Sequence, residues 1–166
     1  QNKIMSYSGF NTPQKEDKKT ISSRKKYKIS IIASEWNKQI TSKLLDGAVE
    51  TLTYQGILKE NIFITKVPGS FELIFEAKKK SKDSKFDSII VIGCLIKGET
   101  KHFKYLCKSV SYSIAKINLK SSIPVIFCVL MDKNIKQSIG RSGGKIGNKG
   151  IDAAYTSLKM MELNKS

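Results

Sequence analysis

The stretch Ser88-Ile89-Ile90-Val91-Ile92, continuing as Gly93-Cys94-Leu95-Ile96-Lys97-Gly98-Glu99-Thr100-Lys101-His102-Phe103, decides how this chain is to be read. A short apolar run that breaks into glycine, charged and hydroxyl residues is how an open α/β sheet ends a buried strand at its carboxyl edge, where such folds present their chemistry. His102 is the single histidine of the sequence. Its side chain has an unperturbed pKa of about 6.5 and exchanges a proton near neutrality without much tuning. A lone histidine in a loop is also a common satisfied surface residue, so position alone does not make it catalytic.

Working outward, three further apolar runs read as buried strands at residues 27–34, 61–67 and 123–130, each rich in isoleucine or valine. Helix-length segments separate them. Residues 41–55 carry Leu44, Leu45, Ala48, Val49 and Leu52 at three- to four-residue spacing and stop before Gly56. Residues 71–82, 104–119 and 151–163 show the same periodicity, the last two through Leu106, Val110 and Ile114 and through Ala154, Leu158 and Met161. Strands alternating with helices imply a parallel sheet between two helical layers, a three-layer α/β sandwich over residues 27–166.

The 166 residues suit a single domain with a short tail. No stretch reaches the roughly 18 to 20 apolar residues of a membrane helix, so no membrane role is expected. Cys94, Cys107 and Cys128 lack C-x-x-C spacing and read as reduced thiols, neither a zinc site nor a disulfide framework. The net charge of +16 raises nucleic acid as a partner. Its distribution argues against one, because the charge is mostly lysine, spread along the chain without clustered arginines or interleaved aromatics.

Residues 1–26 hold seven basic and two acidic residues with no apolar periodicity, and are expected to be a disordered basic tail. The chain opens on Gln1, which reads as the trimmed end of a longer chain. A plain tail of a cytoplasmic protein and the remnant of a plastid transit peptide both fit its composition.

In a parallel sheet the loops after the strands share one edge, so their residues converge. These are Ser34 to Asn37 with the single tryptophan, Trp36; Pro68 to Glu72; Gly98 to His102; and Met131 to Gln137. Gly98-Glu99-Thr100 at a helix entry offers backbone N–H groups, a hydroxyl and the positive end of a helix dipole to a phosphate, although Thr100 serves equally as a plain N-cap. The tract Gly140 to Gly150 lacks the Ser or Thr that a Walker loop needs after its lysine. It reads as a flexible cationic connection in which Arg141 can grip a phosphate with two parallel hydrogen bonds.

Taken together, Val67-Pro68-Gly69-Ser70-Phe71-Glu72, Lys97-Gly98-Glu99-Thr100-Lys101-His102-Phe103, Pro124-Val125-Ile126-Phe127-Cys128-Val129-Leu130 and Gly147-Asn148-Lys149-Gly150 resemble the signature series of 6,7-dimethyl-8-ribityllumazine synthase, the penultimate enzyme of riboflavin biosynthesis. Order and spacing agree from about Tyr27 to the end. The resemblance implies a flavodoxin-like sandwich with a four-stranded parallel sheet, assembled into pentamers or a sixty-subunit shell with active sites between copies. The short link between Arg141 and Lys149 favours the shell, while the net charge opposes it. The implied reaction condenses 5-amino-6-(ribitylamino)uracil with 3,4-dihydroxy-2-butanone 4-phosphate. No metal or organic cofactor is implied, since an amine and a ketone form an imine unaided.

By the same resemblance one copy supplies Trp36, Ser70, Phe71, Glu72, Leu95, Ile96, Glu99, Thr100 and His102, and the next supplies Phe127, Arg141 and Lys149. Trp36 would stack on the pyrimidine, Phe127 would wall the ribityl chain, and Glu72 would accept from its hydroxyls with help from Ser70. Arg141, the backbone of Glu99 and Thr100 and the Thr100 hydroxyl would hold the phosphate, His102 would carry protons, and Lys149 would orient the pyrimidine or add positive charge at the site. Trp36 stands where many members have phenylalanine, Lys97 where arginine is common and Cys128 where glycine is frequent; none of these changes removes a proposed functional group. A non-catalytic lumazine or flavin carrier that kept the pocket is the alternative reading.

Overall fold

In the computed structural model, which describes residues 18–165, the isoleucine- and valine-rich runs form β1 (Ile29–Ser34), β2 (Ile62–Val67), β3 (Ser88–Ile96) and β4 (Val125–Asp132). They pair in the order β2-β1-β3-β4, parallel throughout. Side chains alternate between the faces of this sheet with period two. Ile29, Ile31, Ala33, Ile90, Ile92, Cys94, Ile126, Cys128 and Leu130 meet one helical layer, formed by α2 (Lys38–Tyr54) and α6 (Lys149–Lys165). Ile32, Val67, Ile89, Val91, Leu95, Val125 and Val129 meet the other, formed by α3 (Leu73–Lys80) and α4 (His102–Lys120). Burial on both faces is why β1 and β3 read as continuous apolar runs, whereas β2, expected to be buried as well, is an edge strand buried only at Val67. The result is the expected three-layer sandwich, of flavodoxin-like type, with β1 and β3 flanking the point where strand order reverses.

Several boundaries differ from the expected ones, and three of the shifts have clear local reasons. Strand β3 runs on to Ile96 instead of stopping at Ile92, because Gly93 to Ile96 pair in register with Val129 to Asp132 of β4. Gly93 reads as a strand breaker, yet it is a point of close approach: a Cβ there would lie 2.6 Å from Ser70 Oγ. Helix α2 starts at Lys38, three residues earlier than the periodicity suggested. Asn37 before it takes a left-handed conformation (φ 56°) and donates from Nδ2 to the carbonyl of Cys94 at 2.9 Å. Helix α3 is shorter than residues 71–82, because Glu72 Oε2 accepts the Gly69 N–H at 3.0 Å and holds the preceding residues in a turn.

The tract Gly140 to Gly150, expected to be a flexible connection, belongs to a folded segment that follows β4. That segment contains α5 (Ile135–Arg141) and an antiparallel hairpin of β5 (Ser142–Gly144) and β6 (Gly147–Asn148). A reciprocal cap starts α5: Asn134 Oδ1 accepts the Gln137 N–H at 3.0 Å and Gln137 Oε1 accepts the Lys133 N–H at 2.8 Å. Gly143 and Gly147 supply the positive φ angles of the hairpin, 117° and 90°. Asn148 then ties it down by donating to the carbonyl of Lys43 at 2.9 Å.

The tail was expected over residues 1–26. Residues 18–26 form a short helix, α1 (Lys18–Ser23), and a 3-10 turn, Arg24–Lys26; residues 1–17 of that expectation lie outside the described residues. Arg24 is 2% exposed and donates to Glu162 from Nε at 3.1 Å and from Nη2 at 2.6 Å, and to Gln55 Oε1 from Nη1 at 3.0 Å. An arginine in a polar leader carries no sequence signal that its partners lie in α6 and at the end of α2. Arg24→Ala would strip a charged partner from Glu162 and leave buried Gln55 short of one bond, which costs about 2 to 3 kcal/mol. Urea unfolding should show that loss, and a change below about 0.5 kcal/mol would mean that Arg24 does not anchor the segment.

Candidate active site

The loops at the carboxyl edge are stitched together by backbone bonds. The Glu35 N–H donates to the Val67 carbonyl at 2.8 Å and the Trp36 N–H to the Pro68 carbonyl at 3.0 Å, so the loop after β1 sits beside the one after β2. Asn37 joins both to β3 through the Cys94 carbonyl. The Lys97 N–H donates to the Asp132 carbonyl at 2.9 Å, which ties the start of the third loop to the end of β4. The convergence expected of a parallel sheet is therefore present at the level of hydrogen bonds.

Several side chains on this edge have no role in the fold of one chain. Trp36 is 74% exposed and Phe71 54% exposed, two large aromatic surfaces on neighbouring loops. Adjacent exposed aromatics of this size mark a binding surface rather than a core. Ser70 is 3% exposed, and its hydroxyl has no hydrogen-bond partner among the described residues. An unpaired buried hydroxyl is costly unless a ligand completes it. Glu72 spends Oε2 on the Gly69 N–H and keeps its other oxygen available. Leu95 is buried and Ile96 half-buried at the end of β3. Glu99, Thr100 and His102 are exposed where α4 begins, and Thr100 Oγ1 accepts the His102 N–H at a long 3.4 Å. The helix entry carries the positive end of a 19-residue helix together with Lys97, Lys101 and Lys104, a setting that suits an anion.

The remaining three expected residues form a group of their own. Phe127, the exposed position in the middle of β4 at 42%, lines a cavity of about 490 Å³ with Arg141 at the end of α5 and Lys149 at the start of α6. None of Trp36, Ser70, Phe71, Glu72, Glu99, Thr100 or His102 lines that cavity. Each cation is steered by a carboxylate: Arg141 Nη1 donates to Asp132 Oδ1 at 3.1 Å, and Lys149 Nζ to Asp152 Oδ2 at 2.7 Å. The sequence reading missed both acids. Asp152 was discoverable at three residues from Lys149 on one helix, whereas Asp132 lies nine residues and a helix away from Arg141.

Cys128 sits in the wall of this cavity, where its thiol donates to the Lys149 carbonyl at 3.5 Å. Burial, with a smaller push from Asp152 and an opposing pull from Lys149, raises its pKa to about 12. Burial also raises Cys94, against the hydrogen bond to Ser138. A folded-state value above the ordinary 9.0 means that the native state holds the proton more tightly, so Cys128 stabilises the fold below about pH 9 and that contribution fades as pH climbs toward 12. At pH 8 a thiol reagent should label half-buried Cys107 well before Cys94 or Cys128; prompt labelling of Cys128 would contradict its burial.

Among the described residues no group of three or more His, Cys, Asp or Glu side chains could hold a metal ion. No helix among them is long and apolar enough to cross a membrane.

A family model described as 6,7-dimethyl-8-ribityllumazine synthase matches residues 26–165. Proteins of that name are similar over most of their length. The one from Christiangramia forsetii is 48% identical over 150 residues, covering 90% of this chain and 89% of the relative. That from Flavobacterium psychrophilum is 50% identical over 147 residues, 89% and 78% of the two chains, and that from Bacteroides fragilis 47% over 135 residues, 81% and 94%.

Proposed function

Since the chain belongs to the 6,7-dimethyl-8-ribityllumazine synthase family and is an enzyme of the transferase class, we propose that it condenses 5-amino-6-(ribitylamino)uracil with 3,4-dihydroxy-2-butanone 4-phosphate, releasing phosphate and water. The observation that carries this reading is the division of the expected residues into two surfaces on one chain. An aromatic and hydroxyl surface with His102 lies at the sheet edge, and a separate cavity holds Phe127, Arg141 and Lys149. Neither surface is a complete site. Two copies set side by side would bring the first surface of one against the second of the other, with active sites between subunits of a pentamer or of a sixty-subunit shell.

In that arrangement Trp36 stacks on the pyrimidine, with Phe71, Leu95 and Ile96 beside it. Glu72 and the unpaired Ser70 hydroxyl take the ribityl hydroxyls, and Phe127 of the next copy walls that chain. The backbone N–H groups of Glu99 and Thr100 and the Thr100 hydroxyl, just before α4, hold the phosphate together with Arg141 of the next copy. The pyrimidine amine adds to the ketone and water leaves as the imine forms; after phosphate is lost, the ribitylamino nitrogen adds to the remaining carbonyl and a second water leaves as the ring closes. His102 carries protons through that step and through loss of phosphate, while Lys149 orients the pyrimidine. Fixing two substrates in register accounts for much of the rate. A cytoplasmic setting belongs to the same proposal and accords with the bacterial relatives, which lend no support to a plastid.

Incubation with both substrates tests the reading. The expected result is growth of lumazine absorbance far above the rate in buffer, from a particle whose mass by light scattering is at least five chains. Product at the buffer rate alone would overturn it in favour of a carrier.

A further inference from the structure

We infer that Asp132 is the positioning residue for Arg141, and through it sets how the enzyme grips the phosphate-bearing substrate, an inference that rests on the reaction proposed above. Asp132 is the last residue of β4 and is a carboxylate only 5% exposed. Both of its oxygens are engaged. Oδ1 accepts from Arg141 Nη1 at 3.1 Å, and Oδ2 accepts from the hydroxyl of Ser138, itself fully buried, at 2.8 Å. The Cys94 thiol closes the chain by donating to Ser138 Oγ at 3.5 Å. A buried network of this kind holds its members at fixed angles, because each lost bond would leave a desolvated polar group unpaired.

The consequence falls on the guanidinium. Arg141 is partly exposed at the cavity, and among the described residues its side-chain hydrogen bonds come from Nη1 alone. The carboxylate therefore pins one corner of a planar fork and leaves the Nε and Nη2 edge for a phosphate. Without that anchor a long, rotamer-rich side chain would have to be ordered at each binding event. The backbone of Asp132 does a second job: its carbonyl accepts the Lys97 N–H at 2.9 Å, at the point where the loop leading to Glu99, Thr100 and His102 leaves the sheet. One residue thus fixes an arginine offered to the next copy and the root of the phosphate loop in its own.

Steady-state kinetics and competition by inorganic phosphate, on the assembled enzyme, test this. Asp132→Ala should raise KM for the butanone phosphate and weaken phosphate competition together, each by about tenfold, with kcat and the pyrimidine KM within about twofold of the parent. Asp132→Asn keeps an acceptor for Nη1 and should restore both values to within about threefold. Ser138→Ala, a milder change that only loosens Oδ2, should shift the same two values by about threefold, and it decides the matter if Asp132→Ala does not fold. Equal losses for both substrates, or a folded variant in which phosphate competition is untouched, would overturn the role of Asp132. If Arg141→Ala itself leaves phosphate competition unchanged, the reading of the phosphate site falls with it.

Discussion

Replacing His102 by alanine is expected to lower kcat for lumazine formation by on the order of 100-fold while leaving both KM values within about twofold. The residue occupies the first position of α4, exposed at the sheet edge, and its imidazole has no hydrogen-bond partner among the described residues. Removing it therefore takes nothing from the packing of the chain. Proton transfer by a positioned side chain contributes roughly 10² to 10⁴ in rate, and the low end applies here because an amine and a ketone form an imine even unaided. The check is turnover at neutral pH with both substrates saturating. Unchanged turnover would remove His102 from the chemistry, and a loss confined to KM would recast it as a binding residue.

The second large effect is expected at Arg141. Arg141→Ala should raise KM for the butanone phosphate by about 100-fold, the equivalent of two charge-assisted hydrogen bonds at roughly 1.5 kcal/mol each. The pyrimidine KM should stay within about twofold of the parent. Arg141→Lys should recover part of the loss, since an ammonium supplies charge without the planar fork. Alanine also leaves Asp132, buried to 95% of its surface, short of its cationic partner, so a stability loss of about 1 to 3 kcal/mol should accompany the kinetic one. Titration calorimetry with inorganic phosphate separates the two effects. Phosphate binding that survives Arg141→Ala would show that the anion is held elsewhere.

The parallel sheet was legible because burial on both faces forces apolar runs such as Ile31 to Ala33 and Ile89 to Ile92. What followed each run was harder to read. Gly93 carries the ordinary signature of a strand end, yet β3 continues through it by pairing with β4, and the nearness of Ser70, a contact across the fold, is why the position suits glycine. Glycines 140, 143, 144 and 147 suggested a flexible link because positive φ and flexibility share one sequence signal, whereas the Asn134 and Gln137 cap that anchors α5 was present in the sequence and went unread. Arg24 and Asp132 act through partners far along the chain, and neither leaves a local pattern.

The site divides in the same way. That Trp36, Ser70, Glu72 and His102 gather on one edge follows from strand direction alone. That Phe127, Arg141 and Lys149 face a different cavity does not follow from spacing; the family resemblance assigned them to a neighbouring copy, and the single chain leaves the two groups apart. Trp36, Phe71 and Phe127 are all exposed on the single chain, and the proposed site between copies would cover them.

Co-assembly of two crippled variants tests that central claim most directly. When His102→Ala and Arg141→Ala chains are co-expressed in equal amounts, an interface is whole only where an intact His102 meets an intact Arg141 from the next copy, which chance pairing gives at about one interface in four. The mixed particles should therefore recover about a quarter of the parent turnover at low butanone phosphate, far above either variant alone. Activity no greater than the average of the two separate variants would contradict a site built between copies.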